Sequence, residues 1–470
     1  MDLDEYASYD GIGLADLLRA GEVNVPELLS VAREAIEKVN PTINAVIEVY
    51  EESSLDIGSP ALAGTPFAGV PSLRKDLYNE AGRKVEYGSL LGRGRIALQD
   101  DAVIREMKNS GVVFIGRSTT SEFGLCTTTE STLCGDTRNP YDLTKSVGGS
   151  SGGAAAAVAA GMVPFAQASD GGGSIRIPAS CCGLVGLKAS RQPVVKGRSK
   201  ADLNAGTSLI VARTVRDVAT MFSVVEHNQS QDTDSLPLTV RQLRVAVADG
   251  PWEPRSTIDP EIVRAVHDVA SVIADLGGGL DYARPAYQMD DFWDAMLTRI
   301  VIGVYEECLE VSLATGRSVT QELLEPMTWM YFEAGQRSQP ADLWNALAKR
   351  DRVVQKMEEF FLEFDILITP SLQMLPPVLG TAGGHAPASN PLEHLLMAED
   401  VCPNMAIFNM TGQPAITVPT GVSTNGLPIG VQIVGRHGTD QLLLALAEEL
   451  ENRLPWRQRI PTVHVSRPQR

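Results

Sequence analysis

The chain has 470 residues, 44% of them hydrophobic and 21% charged, which supports an extensive buried core and argues against general disorder. Forty Lys and Arg against 58 Asp and Glu leave a formal charge of −18, so no nucleic-acid partner is expected. Six cysteines and six histidines fall without metal-ligand spacing. Neither a metal nor another cofactor is expected, and the adjacent Cys181 and Cys182 cannot readily bridge each other.

The acidic start Met1–Glu5 lacks the basic and apolar regions of a secretion signal. No run of about 18 apolar residues marks a membrane span, so a cytoplasmic protein without membrane contact is expected. Leu14, Leu17, Leu18, Val25, Leu28 and Leu29 recur near a helical period, predicting helices over 12–40 that stop at Asn40-Pro41. Short strands are predicted at Ala45–Ile47 and at Phe67–Ser72, the latter leading into Lys75-Asp76. A helix follows over Asp101–Ser110. The continuous apolar run Val112–Gly116 has the form of a buried parallel strand.

Ala154–Ala160 should be a helix packed closely on a sheet, and 163–167 a strand ending in the turn Asp170–Gly173. The polar stretch 227–235 reads as a surface linker. Beyond it come a strand at Leu243–Ala248 and a helix over Glu261–Leu276 capped by Asp259-Pro260. Helical periodicity dominates 290–362. Asp365–Pro370 is a strand, Gly380–Asn390 a loop, Ala415–Pro419 and Gly430–Val434 strands, and Gln441–Glu451 a helix. The alternation implies an α/β protein with helices over both faces of a sheet.

Residues 146–190 are crowded with glycine, alanine and serine. Two glycine-flanked serines, Ser150 and Ser174, lie 24 residues apart. Glycine permits backbone torsions and approaches closed to other residues. The run Gly171–Gly173 can aim successive N–H groups at one point, an anion-binding nest. Beside a serine hydroxyl, such a nest serves as an oxyanion hole for acyl transfer. Composition leaves a plain glycine turn or a phosphate loop equally open, although neither GxxxxGK[ST] nor a clear GxGxxG is present.

GGSSGG at 148–153, GGSIRIPAS at 172–180 and CGLVGLK at 182–188 together resemble the amidase signature. Upstream, Gly69–Asp76 (GVPSLRKD), Gly116–Gly124 and Thr137–Pro140 are similar to further segments of that family. So are Asn409–Ala415 and Gly426–Gln432, which carries the resemblance over most of the chain. It implies a single amidase signature domain over 1–470, with a mixed central β-sheet covered by helices on both faces. A catalytic core would occupy 65–225 and an inserted helical, substrate-pocket region 242–400.

The resemblance also implies a Ser–cisSer–Lys triad. Ser174 would attack the amide carbonyl, and Ser150, preceded by a cis peptide, would relay protons to Lys75. Burial near Val70, Leu73 and Leu77 would keep Lys75 neutral. Ser151 would support this pair from behind and is the alternative for the relay role. Backbone N–H groups of Gly171, Gly172, Gly173 and Ser174 would form the oxyanion hole, braced by an ion pair between Asp170 and Arg176. Gly171 stands where the family usually has threonine or isoleucine, Arg74 directly precedes the lysine, and Ala189-Ser190 replaces Pro-Thr.

The implied activity is hydrolysis of a small amide through an acyl-enzyme, with carbamate or ester side activity. The alternatives are a urethane hydrolase, an amidotransferase A-type subunit, or a catalytically dead binding protein. The expected partner is a small amide or carbamate molecule and the expected assembly a monomer or homodimer. The pocket is expected from residues 125–130, 326–332, 371–375 and 402–408.

Overall fold

A computed structural model describes residues 1–55, 64–191, 205–226, 243–252, 257–382 and 388–468. The predicted linker at 227–235 and part of the 380–390 loop lie outside the described residues. The chain opens with α1 (Leu3–Ser8), α2 (Gly11–Ala20) and α3 (Val25–Ile43), whose N-caps Asp2, Asp10 and Asn24 each accept a backbone N–H. The helix expected to stop at Asn40-Pro41 runs on to Ile43. Asn44 accepts the left-handed cap conformation, and its N–H bonds Asn40 O at 2.8 Å. In the last turn the proline ring costs little, and the Asn40 side chain receives the amides of Ala45 and Val46.

Next come β1 (Val46–Val49), β2 (Pro71–Lys75), α4 (Ala102–Asn109) and β3 (Val113–Ser118). β2 starts four residues later than the predicted strand, because Phe67–Val70 closes a turn through Val70 N and Phe67 O. Lys75 therefore sits on the strand itself. β3 is buried throughout, as its apolar run predicts, and pairs parallel to β2 and antiparallel to β1 in a small separate sheet. A hairpin of β4 (Glu130–Ser131) and β5 (Gly135–Asp136) precedes α5 (Gly152–Ala159) and β6 (Phe165–Asp170). Then follow α6 (Arg176–Cys182), β7 (Val185–Lys188), β8 (Thr207–Ala212) and α7 (Val215–Glu226).

The second half contains β9 (Arg244–Val247), α8 (Pro260–Asp275), β10 (Gly279–Tyr282) and the long α9 (Met289–Thr315). It continues through α10 (Pro326–Arg337), α11 (Pro340–Glu363), β11 (Ile366–Pro370), α12 (Pro391–Glu399) and α13 (Ala406–Thr411). The hairpin β12 (Ala415–Val422) and β13 (Pro428–Gly435) and helix α14 (Asp440–Arg453) complete the elements used below.

Eight strands form the central sheet in the order β10-β9-β11-β13-β12-β7-β8-β6. β9 pairs parallel with β10 and β11, and the remaining pairings are antiparallel. Strand alternation divides its side chains between two cores. Ile366, Ile368, Ile416, Val431 and Ile433 face a core shared with α5, α6, α8 and α14. Leu367, Ala415 and Val434 face another core, made with Phe292, Trp293 and Met296 of α9, Met357 of α11 and Phe408 of α13. Helices thus cover both faces, as predicted.

Candidate active site

Strand β2 brings Lys75 against β6. The backbone N–H of Lys75 donates to Gln167 Oε1 at 2.9 Å, and Ser72 Oγ donates to Phe165 O at 3.0 Å. Residues 165, 167 and 169 share one face of β6 by the two-residue alternation, so Ser169 joins Gln167 toward β2. Lys75 Nζ then lies 2.7 Å from Ser150 Oγ, 2.8 Å from Ser151 Oγ and 3.0 Å from Ser169 Oγ. The lysine is fully buried. Burial disfavours its charged form and outweighs the attraction of Asp170, so the pKa falls from the usual 10.5 to about 7.

Alternation sends Arg74 to the opposite side of β2. There its guanidinium reaches Glu80, Tyr50 Oη and Lys84 O. Asp76 pairs with Arg117 at 2.8 Å. Neither chain neighbour of Lys75 is its counter-ion.

The Gly149–Ser150 peptide is cis. Gly149 cannot carry a side chain, because a Cβ there would strike the Thr128 carbonyl. Thr129 Oγ1 donates to Gly148 O at 2.9 Å and Thr120 Oγ1 to Ser150 O at 3.0 Å. Ser151 Oγ donates to Ser169 O and accepts from Ser169 N, both at 3.2 Å. The Ser151 proton is therefore committed to a carbonyl. Ser150 Oγ abuts Gly124 on the cleft wall, where a Cβ would meet it at 3.2 Å.

Asp170 ends β6 and is fully buried with Arg176. Arg176 Nε donates to Asp170 Oδ2 at 2.8 Å and Nη2 to Oδ1 at 2.9 Å, the two-pronged geometry that favours arginine over lysine. Burial alone would raise the Asp170 pKa, but the Arg176 guanidinium overcomes it and holds the carboxyl well below its usual range. Arg176 also donates to Gln432 Oε1 and Asn409 Oδ1, both at 2.6 Å, and Asn409 Nδ2 donates to Asp170 O at 2.9 Å. Lys188, fully buried, donates to Ala189 O, and burial followed by the Arg176 charge lowers its pKa to about 7.

Gly173 departs from the expectation for the oxyanion loop. Its N–H donates to Asp170 Oδ1 at 2.7 Å, as does that of Ile175 to Oδ2 at 3.2 Å. The amides of Gly171, Gly172 and Ser174 bond no other described residue, and these three residues line a cleft of about 250 Å³. That is near the lower end for a small-molecule site. The expected wall is half right. Leu125, Cys126, Thr127, Cys402 and Ala406 line the cleft, whereas 326–332 and 371–375 do not. Helix α9 intervenes instead, presenting Met296, Arg299, Ile300, Gly303, Val304 and Glu307. Residues 327–332 pack behind it, in a cluster with Val301 and Val304.

Ser169, Gln167, Lys188 and Arg299 were not singled out in the sequence. Alternation along 165–169 could have found the first two, because it puts them on the face of Phe165. Asn409 and Gln432 stood in matched segments without a role, and the geometry assigns them to Arg176. Among the described residues no helix is long and apolar enough to cross a membrane, and no group of His, Cys, Asp and Glu could hold a metal ion.

The family model described as Amidase matches residues 27–444. A 6-aminohexanoate-cyclic-dimer hydrolase of Pseudomonas sp. (strain NK87) is 33% identical, with 96% of each chain covered. Its counterpart from Paenarthrobacter ureafaciens is also 33% identical over 96% of each chain. A solved 6-aminohexanoate cyclic dimer hydrolase superposes with a TM-score of 0.88 at 31% identity, over 97% of this chain and 99% of that one. A bacterial aryl acylamidase of the amidase signature family gives a TM-score of 0.83 at 25% identity, over 98% and 99%.

Proposed function

The chain belongs to the amidase family and is a hydrolase of carbon–nitrogen bonds, and we propose that it cleaves small amides through an acyl-enzyme on Ser174. Lys75 in its neutral form accepts a proton from Ser150, which takes one from Ser174 as that hydroxyl attacks the carbonyl. The tetrahedral oxyanion is held by the amides of Gly171, Gly172 and Ser174. On collapse, the proton returns through Ser150 to the leaving amine, the C–N bond breaks, and water releases the acyl group by the same relay run again.

The observation that carries this reading is Lys75 Nζ, fully buried, in no salt bridge among the described residues and 2.7 Å from Ser150 Oγ. A lysine held neutral near pH 7 is a base, whereas an ion-paired lysine is only a cation. Ser150 suits the relay better than Ser151, because the Ser151 proton is taken by Ser169 O. Amides, including cyclic ones as named for the relatives, are the leading substrates. Carbamates and esters follow, because all three pass through a similar tetrahedral intermediate.

Ser174→Ala is the direct test. Turnover of an anilide panel should fall by at least about 10³-fold with thermal stability unchanged, and a fluorophosphonate should label wild type but not the variant. Full activity in Ser174→Ala would overturn the assignment.

A further inference from the structure

Arg299, on the cleft-facing stripe of α9, lies beside the loop that carries Ser174. Its Nη2 donates to Gly171 O at 3.3 Å and touches Met296 Sδ at 3.3 Å, while its Nε is buried with no acceptor. Arg74, Arg117 and Arg176 each have a carboxylate: Glu80, Asp76 with Glu86, and Asp170 respectively. Among the described residues Arg299 has none. Burial lowers its pKa to about 10, and the neighbouring charge that adds to the effect is another cation, Arg191.

A guanidinium nitrogen shut off from water without an acceptor is costly, and an anion bound beside Arg299 Nε would satisfy it. Bracing Gly171 O needs one neutral donor, which a glutamine could provide. Arg299 also lies beside Arg191 and Arg350, with which it lines a shallow recess between apolar walls that include Ala295, Leu347 and Met410. On a molecule with a formal charge of −18, Arg191 adds a second positive charge near Arg299, whereas Arg350 is paired with Asp351.

Resting on the acyl-transfer reading of Ser174, we infer that Arg299 binds a carboxylate of the substrate, so the preferred amide bears a free carboxylate. The planar fork suits a carboxylate held by two parallel N–H donors. The anion would complete the environment that the fold leaves open around Nε.

The test compares two matched pairs on the full-length protein. N-phenyladipamic acid against its primary carboxamide puts the charge on the acyl side, read as aniline release. 6-Benzamidohexanoate against its primary carboxamide puts it on the amine side, read as benzoate release. In at least one pair kcat/KM should favour the carboxylate by about ten- to a hundredfold, the range expected for a hydrogen bond between charged groups. In Arg299→Met that ratio should collapse toward one, and Arg299→Lys should restore part of it. Turnover without discrimination in either pair overturns the inference alone, and so does a ratio unmoved in Arg299→Met. Labelling of Ser174 by a fluorophosphonate with neither pair turned over likewise overturns it. No turnover and no labelling takes down the acyl-transfer reading as well.

Discussion

At the scale of single residues, the site depends on which proton each hydroxyl can give up. Lys75 Nζ meets three serine oxygens within 3.0 Å, but only Ser150 combines that contact with a place against the cleft wall. The sign of the pH dependence follows from the lysine. Below its pKa of about 7 it is protonated and cannot accept; above, the amine is free. On an uncharged anilide, kcat/KM should rise about tenfold per pH unit below that value and level off above it. A profile flat from mildly acidic to alkaline conditions would contradict the role. Lys75, Ser150 and Ser174 were named through the family resemblance, since glycine and serine spacing alone left a plain glycine turn equally open. Ser169 and Arg299 were not, since a serine in a strand and an arginine on a helix are ordinary until their neighbours are known.

At the scale of elements, the loop from β6 to α6 decides where the N–H groups point. Gly171 has no positive φ, and a Cβ built on it meets nothing within 4 Å, so an alanine there has room. Gly171→Ala should therefore stabilise the protein by about 0.4–1 kcal/mol, by restricting the unfolded chain. Gly173 has φ +127°, and its Cβ would lie 2.7 Å from Ile177 Cδ1. Gly173→Ala should cost about 1–3 kcal/mol, and with the loop displaced most activity should go too. Thermal denaturation of the two variants, one shifted up and one down, checks the contrast. Helix α9 teaches the same lesson about side walls. Helical periodicity is read across 290–362, but the α9 stripe 296, 299, 300, 303, 304, 307 faces the cleft because α10 covers its opposite side. Periodicity reports that a face is apolar and does not say against what it packs.

At the scale of the whole molecule, one ion pair ties distant segments together. Asp170 closes β6 and Arg176 opens α6, and through Asn409 and Gln432 the pair reaches α13 and β13, more than 230 residues away. Arg176→Ala would leave Asp170 buried and charged without its partner, a change worth about 3–5 kcal/mol, so melting should drop by several degrees with loss of the reacting loop. An unchanged melting temperature would show that the network is dispensable.

Much was settled by the chain alone. Two-residue alternation and helical periods carried the α/β class, and glycine–serine spacing marked Ser150 and Ser174 as candidates that the resemblance then singled out, because these patterns depend on residues close together in the sequence. The serine partners of Lys75, the committed amide of Gly173, the walls of the cleft and the uncompensated Arg299 were decided only by tertiary structure. Desolvation and charge pairing depend on which segments meet across the sheet, and no local pattern encodes that distance.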